Sequence, residues 1–230
     1  MIVTIDGPAG AGKSTVARRL AQRLGFRFLD TGAMYRAVTW AALRRHVDWT
    51  RPELLPPLAR ELRLELRDGQ VWVDGEDVSR EIRTSEVTQQ VHYVANHPGV
   101  RECLVELQRA LSHGGHLVTE GRDQGTVAFP QAECKIFLTA SPAERARRRW
   151  AELQARNEQV SFEEVLAQQT RRDTRDAARE VGPLTPAADA VEVLTDGLTC
   201  DQVVERLESL VRERLDQAMT GVAPDGAGEK

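Results

Sequence analysis

The chain has 230 residues, 41% of them hydrophobic, and a formal net charge of -4 at pH 7. This length allows one well-buried core with a small inserted or lid element, but it is short for two full domains. Because the chain as a whole is acidic, it lacks the positive field that non-specific binding to nucleic acid or to anionic membranes requires. We therefore expect neither a nucleic-acid nor a membrane partner.

The cysteines and the N-terminus indicate a cytoplasmic protein. Cys103, Cys134 and Cys200 are odd in number, widely spaced and in no CxxC pair, which argues against a disulfide framework and a zinc site. Met1 leads directly into the apolar run 2–5, without the basic and long apolar regions of a signal peptide. No stretch of 18 apolar residues occurs. We also expect a monomer.

The predicted strands alternate with helical patterns along the chain. Five short apolar runs predict buried strands over 2–5, 26–29, 116–119, 135–139 and 190–194. A helix over 13–24 carries one apolar stripe and stops at Gly25, a favoured residue just past a helix end. A second helix follows Thr31 and runs to about Arg45. This alternation predicts an α/β fold with a five-stranded parallel sheet flanked by helices.

An insert interrupts the alternation between residues 62 and 78. Apolar and charged residues alternate on both sides of Asp68-Gly69, a hairpin turn signal. The segment therefore predicts an antiparallel insert and not another βαβ unit.

The second half of the chain begins with a helix from Pro98 to the glycines at 114 and 115. Ser141 and Ser161 each open a further helix with a capping-box pattern. The arginine-rich stretch between these two serines is a candidate for a mobile lid. Residues 219–230, rich in glycine and without apolar periodicity, are expected to form a disordered tail.

The strongest motif lies between the first strand and the first helix. It matches GxxxxGK[ST] and reads Gly7-Pro8-Ala9-Gly10-Ala11-Gly12-Lys13-Ser14-Thr15. In a P-loop, glycines let backbone N–H groups surround a phosphate, the lysine bridges the β- and γ-oxygens, and the hydroxyl ligates Mg²⁺. The motif therefore predicts binding of ATP or GTP, with Lys13 on the phosphates and Ser14 on the metal.

The chain lacks the additional motifs that define two large classes of P-loop protein, the GTPases and the motor-type ATPases. The chain has no NKxD sequence, which a GTPase uses to read guanine. A motor-type ATPase has an aspartate at the end of an apolar strand, whereas strand 135–139 runs into Ala140-Ser141. The use of the bound nucleotide must be inferred from other residues.

Two polar loops follow the second and third strands, at the edge of the sheet where α/β enzymes bind ligands. The second strand runs into Asp30-Thr31-Gly32-Ala33-Met34-Tyr35-Arg36, and the third into Glu120-Gly121-Arg122-Asp123. The first segment is also consistent with a helix N-cap followed by surface Tyr and Arg side chains, and the second with an ordinary polar loop. Their occurrence on both sides of a P-loop strand favours a second ligand site.

A third polar cluster occupies residues 171–179. Arg172, Asp176 and Arg179 are spaced three or four residues apart and are predicted to share one helical face. Taken alone, such a face is more often salt-bridged and exposed to solvent than part of a site.

Four segments together resemble the bacterial cytidylate kinases (CMP kinases), a family of P-loop nucleoside monophosphate kinases. They read GPAGAGKST, DTGAMYRA, EGRDQGTVAFP and RRDTRDAAREVGPLTPAADA. The resemblance implies a P-loop kinase fold over 1–218, with a monophosphate-binding region at about 31–100. That region contains the insert at about 62–78, and a small helical lid covers about 145–165.

The same resemblance implies transfer of the γ-phosphoryl group of Mg-ATP to CMP and dCMP, in pyrimidine nucleotide metabolism. The residues implied for the acceptor phosphate are all arginines: Arg36, Arg122 and Arg179. With Lys13 they form the implied catalytic set. The residues implied for the sugar hydroxyls are Arg172 and Asp176, those for the cytosine edge are Arg101 and Asp123, and those lining the pocket are Thr31 and Tyr35.

Two positions depart from the pattern of this family. Ser14 stands where many members have glycine, which restores the general P-loop pattern and should leave ATP binding intact. His92 stands where members commonly have a serine that contacts the base, so that contact is not carried over. His92 fits equally well as a histidine on a helix face.

Two other functions agree with the same motifs. The alternative among the enzymes is a P-loop kinase for another small acceptor, such as UMP, AMP or a non-nucleotide hydroxyl compound. A hydroxyl acceptor would need a carboxylate base near its oxygen, for which Asp30 is the candidate. A non-catalytic nucleotide sensor is the alternative outside the enzymes, although the many arginines on the acceptor side argue against it.

Overall fold

A parallel β-sheet forms the centre of the protein in the computed structural model, which describes residues 1–67 and 69–220. In chain order the strands of this part are β1 (Ile2–Asp6), β2 (Arg27–Asp30), β3 (Leu64–Arg67), β4 (Gln70–Val73), β5 (Glu76–Asp77), β6 (Leu117–Glu120), β7 (Cys134–Thr139) and β8 (Val191–Leu194). The helices are α1 (Lys13–Leu24), α2 (Thr31–Arg44), α3 (Leu55–Glu61), α4 (Ser85–Ala95), α5 (Pro98–Ser112), α6 (Pro142–Ala155), α7 (Phe162–Ala177) and α8 (Cys200–Thr220).

The central sheet has the strand order β2-β6-β1-β7-β8, and all of its pairings are parallel. The prediction of a five-stranded parallel sheet is confirmed, with strand ends that differ from the predicted ones by one residue. Strand β1 lies in the middle, between β6 and β7. The loops after β1, β2 and β6 therefore leave the sheet at the same edge, where a crevice forms.

Two apolar clusters cover the two faces of this sheet. Val3 and Ile5 of β1 face one cluster, which is completed by α1 and α8. The larger cluster joins the opposite face to α2, α5 and the insert. Because side chains alternate along a strand, Thr4 and Asp6 face this second side, although both are polar and buried.

The insert is the predicted antiparallel hairpin, extended by the short strand β5. Leu64, Val71 and Val73 of the insert are buried in the larger cluster, and this packing holds the insert against α2. Gly69 occupies the turn with a φ of 76°, which favours glycine. The other residue of the predicted turn, Asp68, lies outside the described residues.

The end of the chain and the helix caps differ in part from the predictions. Helix α8 continues through Thr220, so the predicted tail at 219–230 is wrong for its first two residues, and 221–230 lie outside the described residues. Ser161 forms a complete capping box with Glu164. Ser141 accepts the N–H of Glu144 at 3.3 Å, but the carboxylate of Glu144 binds arginines of α6 instead.

Helices α6 and α7 pack against each other as an antiparallel pair over the predicted lid region. Their contact contains a small apolar cluster of Ala146, Leu153 and Val165, separate from the two sheet clusters. Within the part of the chain that the structure describes, no helix has the length and apolar character needed to cross a membrane.

Candidate active site

The P-loop wraps the start of α1 at the carboxyl end of β1. Gly7, Gly10 and Gly12 have φ values of 145°, 80° and 87°, which favour glycine, and Gly12 caps the helix. At Gly7 an added Cβ would collide with the backbone carbonyl of Leu138 in β7. The loop therefore lies close to β7, and its N–H groups and the helix N-terminus form a site for an anion.

Lys13 is buried in this loop, with 5% of its surface exposed. Its Nζ donates to the carbonyl oxygen of Pro8 at 2.8 Å, so the ammonium is held over the loop. Burial and the nearby charge of Arg122 lower the pKa of Lys13. Burial removes water from this ammonium and so disfavours its charged form. An anionic ligand at the P-loop would stabilise the charge again.

Glu120 and Ser14 face each other beside the P-loop. Strand β6 pairs with β1 in parallel, and this pairing brings its last residue, Glu120, next to α1. The Oγ of Ser14 donates to Oε1 of Glu120 at 2.8 Å. Burial and the charge of Asp30 raise the pKa of this carboxyl group. The pair combines a hydroxyl and a carboxylate, both of which are ligand types that Mg²⁺ accepts.

Two arginine side chains meet at Asp176. This residue is 3% exposed, and its Oδ2 accepts Nε of Arg122 at 2.9 Å. Its Oδ1 accepts Nη2 of Arg179, whose Nε donates to Oδ1 of Asn96 at 2.8 Å. Burial would raise the pKa of Asp176, but Arg122, Arg179 and Arg172 together lower it. Of the three residues predicted to share a helical face, Asp176 is buried, Arg179 is half-buried just beyond the end of α7, and Arg172 is exposed.

Arg36 lies on α2 and points toward the same crevice. Its Nη1 donates to Thr88 Oγ1 at 2.8 Å and to the carbonyl oxygen of Ile82 at 3.2 Å. Burial and the charge of Arg83 lower the pKa of Arg36, with further contributions from Arg149 and Arg122. The charges that act on this guanidinium are mostly cationic, with Asp30 as the opposing carboxylate, and a bound phosphate would offset them.

Asp30 and the residues after it show that both interpretations of this segment were partly right. Oδ1 of Asp30 accepts the N–H of Ala33 at 2.9 Å, so it is the N-cap of α2. However, Tyr35 is buried and Arg36 is half-buried, which excludes the surface Tyr and Arg of the alternative interpretation. Thr31 Oγ1 donates to the carbonyl oxygen of Glu120 at 2.7 Å and joins the two loops.

Arg101 and Asp123 form a buried ion pair deeper in the crevice. They are 3% and 4% exposed, and Nη2 of Arg101 donates to Oδ2 of Asp123. The guanidinium also lies over the ring of Tyr35, with 5.5 Å from its central carbon to the ring centroid. Gly182, in the segment after α7, lies so close to both charged groups that no Cβ would fit. Access to the pair therefore requires this segment to move.

The comparison with protein families identifies the family of the chain. The model of the cytidylate kinase family matches residues 3–213, which include the P-loop and every acceptor residue described above. The chain belongs to the cytidylate kinase family. The predicted family is therefore confirmed.

Named relatives agree with this assignment. The chain is 52% identical to a cytidylate kinase of Rhodopirellula baltica over 213 residues, which cover 93% of both proteins. It is 46% identical to a cytidylate kinase of Desulfitobacterium hafniense, over 93% of this chain and 94% of that protein. It is also 51% identical to a bifunctional pantoate ligase/cytidylate kinase of Thermosynechococcus vestitus, but spans only 44% of that longer protein.

His92 and Arg172 lie on the neighbouring parts of the chain, on α4 and α7. His92 is on α4, four residues before Asn96 and hence on the same helix face, and its Nδ1 is 2.7 Å from the carbonyl oxygen of Gln89. Burial lowers the pKa of His92. Arg172 remains exposed on α7.

The arginines of α6 have different roles in this family member. Arg145 is buried and donates to the carbonyl oxygens of Ala9 and Ala140, each at 3.0 Å. Arg148 donates to Thr195 Oγ1 at 3.0 Å. These two are anchors to the P-loop and to the loop after β8. Arg149 instead forms an exposed ion pair with Glu152 at 3.0 Å, and its charge contributes to the lowered pKa of Arg36.

Two residues of the site, Asp6 and Asn96, were not predicted from the sequence, and two others were predicted only in part: Glu120 as a member of the polar loop after the third strand, and Arg145 as a member of the arginine-rich stretch. Asp6 and Glu120 are the last residues of adjacent parallel strands, and that position was the signal available for them. Asn96 follows a helix that the periodicity did not predict, because only Val87 and Val94 of α4 are buried. Within the described residues no group of three His, Cys, Asp or Glu side chains is placed to hold a metal ion.

Proposed function

We propose that this protein transfers the γ-phosphoryl group of ATP to CMP and dCMP. The main support is the cluster of Arg122, Asp176 and Arg179, which lies across the crevice from Lys13. The chain that contains it belongs to the cytidylate kinase family. Two anion sites that face each other suit a reaction between a nucleoside triphosphate and a nucleoside monophosphate. The names of the relatives support CMP as the acceptor.

On the donor side, the P-loop binds the phosphates of ATP. Its backbone N–H groups and the N-terminus of α1 supply donors and positive potential, and Lys13 moves from the carbonyl of Pro8 to the β- and γ-oxygens. A lysine suits this exchange of partners, because its ammonium sits on a flexible stem and can donate hydrogen bonds in several directions.

Ser14 and Glu120 fit a divalent cation that accompanies ATP. Ser14 Oγ would ligate it directly, and Glu120 would accept from one of its waters or bind it once Ser14 has turned away. Bound Mg²⁺ would neutralise charge on the β- and γ-phosphate oxygens. The hydrogen bond between Ser14 and Glu120 supports this proposal, because it places two oxygen ligands suited to Mg²⁺ next to each other beside the P-loop.

On the acceptor side, Arg36, Arg122 and Arg179 hold the phosphate of CMP. At neutral pH this phosphate is already an anion, so its attacking oxygen needs no general base. The main obstacle is to bring two polyanions into line, and arginines are suited to it because each donates two parallel hydrogen bonds to a phosphate. Asp176, which orients two of these arginines, would then accept a hydrogen bond from a sugar hydroxyl, and Arg172 would donate one to a sugar hydroxyl oxygen.

Asp123 and Arg101 select the base. The exocyclic amino group of cytosine is a donor that a carboxylate accepts, while N3 and O2 accept from a guanidinium. In the structure the two side chains form an ion pair, so a cytosine exchanges one ion pair for a set of charge-assisted hydrogen bonds. Tyr35 and Thr31 complete the walls of this pocket.

The α6–α7 pair acts as a lid over about 145–165 within one kinase domain of residues 1–218. Arg149 is the arginine of α6 whose charge reaches the crevice, so it is the candidate for stabilising the transferred phosphoryl group. Closure of the lid excludes water and so prevents hydrolysis of ATP. Arg145 is the fixed point of this movement, because it ties α6 to the P-loop.

We further propose that the protein is a cytoplasmic monomer that acts on small molecules and binds neither nucleic acid nor membranes. Its net charge of -4 supports the absence of those partners.

Initial rates of ADP formation test the proposed reaction. Mg-ATP is offered with CMP, dCMP, UMP, AMP and GMP in separate assays. High turnover with CMP and dCMP is the expected result. A preference for UMP or AMP would retain the kinase and overturn the base pocket, and no turnover with any acceptor would favour a nucleotide sensor.

A further inference from the structure

Asp6 is a buried acid for which the proposed reaction has no role. It is the last residue of β1, directly before the P-loop, and only 5% of its surface is exposed. Burial raises the pKa of Asp6 to about 6. Burying a carboxyl group costs free energy unless the group makes specific hydrogen bonds, so the partners of Asp6 indicate its role.

Its partners belong to the loop of the acceptor site. Oδ1 of Asp6 accepts the backbone N–H of Gln124 at 2.9 Å, and Oδ2 accepts that of Gly125 at 2.7 Å. These two N–H groups open a short π-helical turn, Gln124–Ala128, which follows Arg122 and Asp123. The carboxylate thus binds the turn at its beginning, next to both acceptor residues.

The side chain of Gln124 is held in the same place by a second set of buried polar groups. Thr119 Oγ1 donates to Oε1 of Gln124 at 2.9 Å, and Nε2 of Gln124 donates to Oε1 of Gln108 at 3.2 Å. Gln108 and Thr119 are fully buried, and Gln124 is 1% exposed. The side chain of Gln124 is thus fixed by residues of α5 and β6. The backbone at the start of the turn is fixed separately, by the carboxylate of Asp6 on β1.

We propose that Asp6 is a positioning residue for the acceptor nucleotide: by binding the turn after Asp123, it orients Arg122 and Asp123 toward the phosphate and the base. This inference rests on the proposed function. It connects the two halves of the site, because Asp6 is continuous with the P-loop through Gly7 while its carboxylate holds the acceptor loop.

The test compares Asp6→Asn with wild type in the CMP kinase assay. An asparagine has one acceptor oxygen, and its NH₂ group faces the second N–H, so the turn loses one hydrogen bond and gains a repulsion. We expect kcat/KM for CMP to fall by about 10- to 100-fold, the ratio for CMP over UMP to fall, and KM for ATP to stay within about two-fold.

Thr4→Val is the matched control. Thr4 is fully buried on the same face of β1 and contacts the same turn at Gly125, but its Oγ1 has no hydrogen-bond partner among the described residues. This variant should retain the kinetics of the wild type. If Asp6→Asn raises the KM values for ATP and CMP by one common factor, or leaves base choice unchanged, the positioning role is wrong. Activity of the wild type with CMP tests the proposed function separately.

A pH profile gives a readout that a general loss of stability would not produce. Below a pH of about 6 the wild-type carboxyl carries a proton and resembles the asparagine. The ratio of kcat/KM for wild type over Asp6→Asn should therefore decline toward one on acidification, while ionisation of CMP affects both proteins equally. Asp123 and Lys13 are the charged groups that act on Asp6. A ratio independent of pH would overturn the proposal.

If Asp6→Asn does not fold, the wild type itself answers the question. The amide protons of Gln124 and Gly125 should shift upfield together in NMR spectra as Asp6 becomes protonated, since a neutral carboxyl is a weaker acceptor. Amide shifts that do not follow the titration of Asp6 would contradict the proposed contact.

Discussion

Arg122 Nε donates a hydrogen bond of 2.9 Å to Oδ2 of Asp176, and thereby joins the loop after β6 to the end of α7. The same carboxylate holds Arg179, so one acid orients two cations that are far apart in sequence. A phosphate in this position would meet guanidinium groups whose directions are already set. Such preorganisation reduces the conformational entropy that binding would otherwise cost.

Arg179→Ala should lower kcat/KM for CMP by about 100-fold, because a charge-assisted hydrogen bond to phosphate is lost. The dissociation constant of ATP, measured with a fluorescent analogue, should change little because Arg179 lies on the acceptor side. Arg212→Ala, which breaks an exposed ion pair with Glu208 on α8, is the control and should behave as wild type. Unchanged turnover of CMP would remove Arg179 from the phosphate site.

Asp123→Asn should reduce the preference for CMP over UMP by about ten-fold or more, because a site built for one hydrogen-bond pattern rejects the other strongly. The asparagine amide both donates and accepts, so it tolerates the O4 of uracil. Asp189→Asn makes the same chemical change at an exposed carboxylate, which forms an ion pair with the buried Lys135, and is the control. Equal CMP to UMP ratios in the wild type and Asp123→Asn would show that base choice is made elsewhere.

Glu120→Gln should raise the Mg²⁺ concentration for half-maximal velocity by about ten-fold, because the partner of Ser14 loses its charge. Titration of Mg²⁺ at a fixed free ATP concentration measures this. Part of the lost rate should return at high Mg²⁺. Glu208→Gln on the exposed face of α8 is the control. A Mg²⁺ dependence identical to that of the wild type would exclude Glu120 from the cation site.

Asp6 also predicts a dependence of stability on pH. Its pKa is raised from 3.8 to about 6 in the folded protein, so the folded state takes up this proton at a higher pH than the unfolded state does. The resulting contribution to stability is fully present below 3.8 and is lost as the pH rises through about 6. A shift of two units amounts to at most about 3 kcal/mol.

The measurement is the difference in Tm between wild type and Asp6→Asn in the absence of nucleotides. On acidification from about pH 7.5 to about pH 4.5, the wild type should gain about 5 °C relative to the variant. Groups other than Asp6 titrate in both proteins and so cancel in the difference. A constant difference over this range would show that Asp6 has an ordinary pKa.

Parts of the site that depend on local sequence were predictable. The P-loop was recognised because its glycines, Lys13 and Ser14 are contiguous and their backbone conformations follow from residue type. The N-cap at Asp30 and the complete capping box at Ser161 follow from short patterns in the same way. The tail was placed two residues too early, because helix α8 continues beyond the last strong apolar positions.

Long-range pairings were not predictable from such patterns. Asp6 and Gln124 are 118 positions apart, and Arg179 and Asn96 are 83 apart, yet each pair is joined by a hydrogen bond. Nothing in the sequence around Arg101 indicates that it is paired with Asp123 and covered by Gly182. Such contacts follow from strand order and helix packing, which no local window contains.

The sequence by itself determined the class of fold, the phosphate-binding loop and the family, because these depend on periodicity and on contiguous motifs. Only the tertiary structure decided which charges meet. Arg122, Arg172 and Arg179 are all arginines at the edge of one site, but the sheet order and the end of α7 bring Arg122 and Arg179 onto Asp176 and leave Arg172 exposed. The reason is physical: the energy of a charge depends on its burial and its neighbours, and the three-dimensional fold sets both.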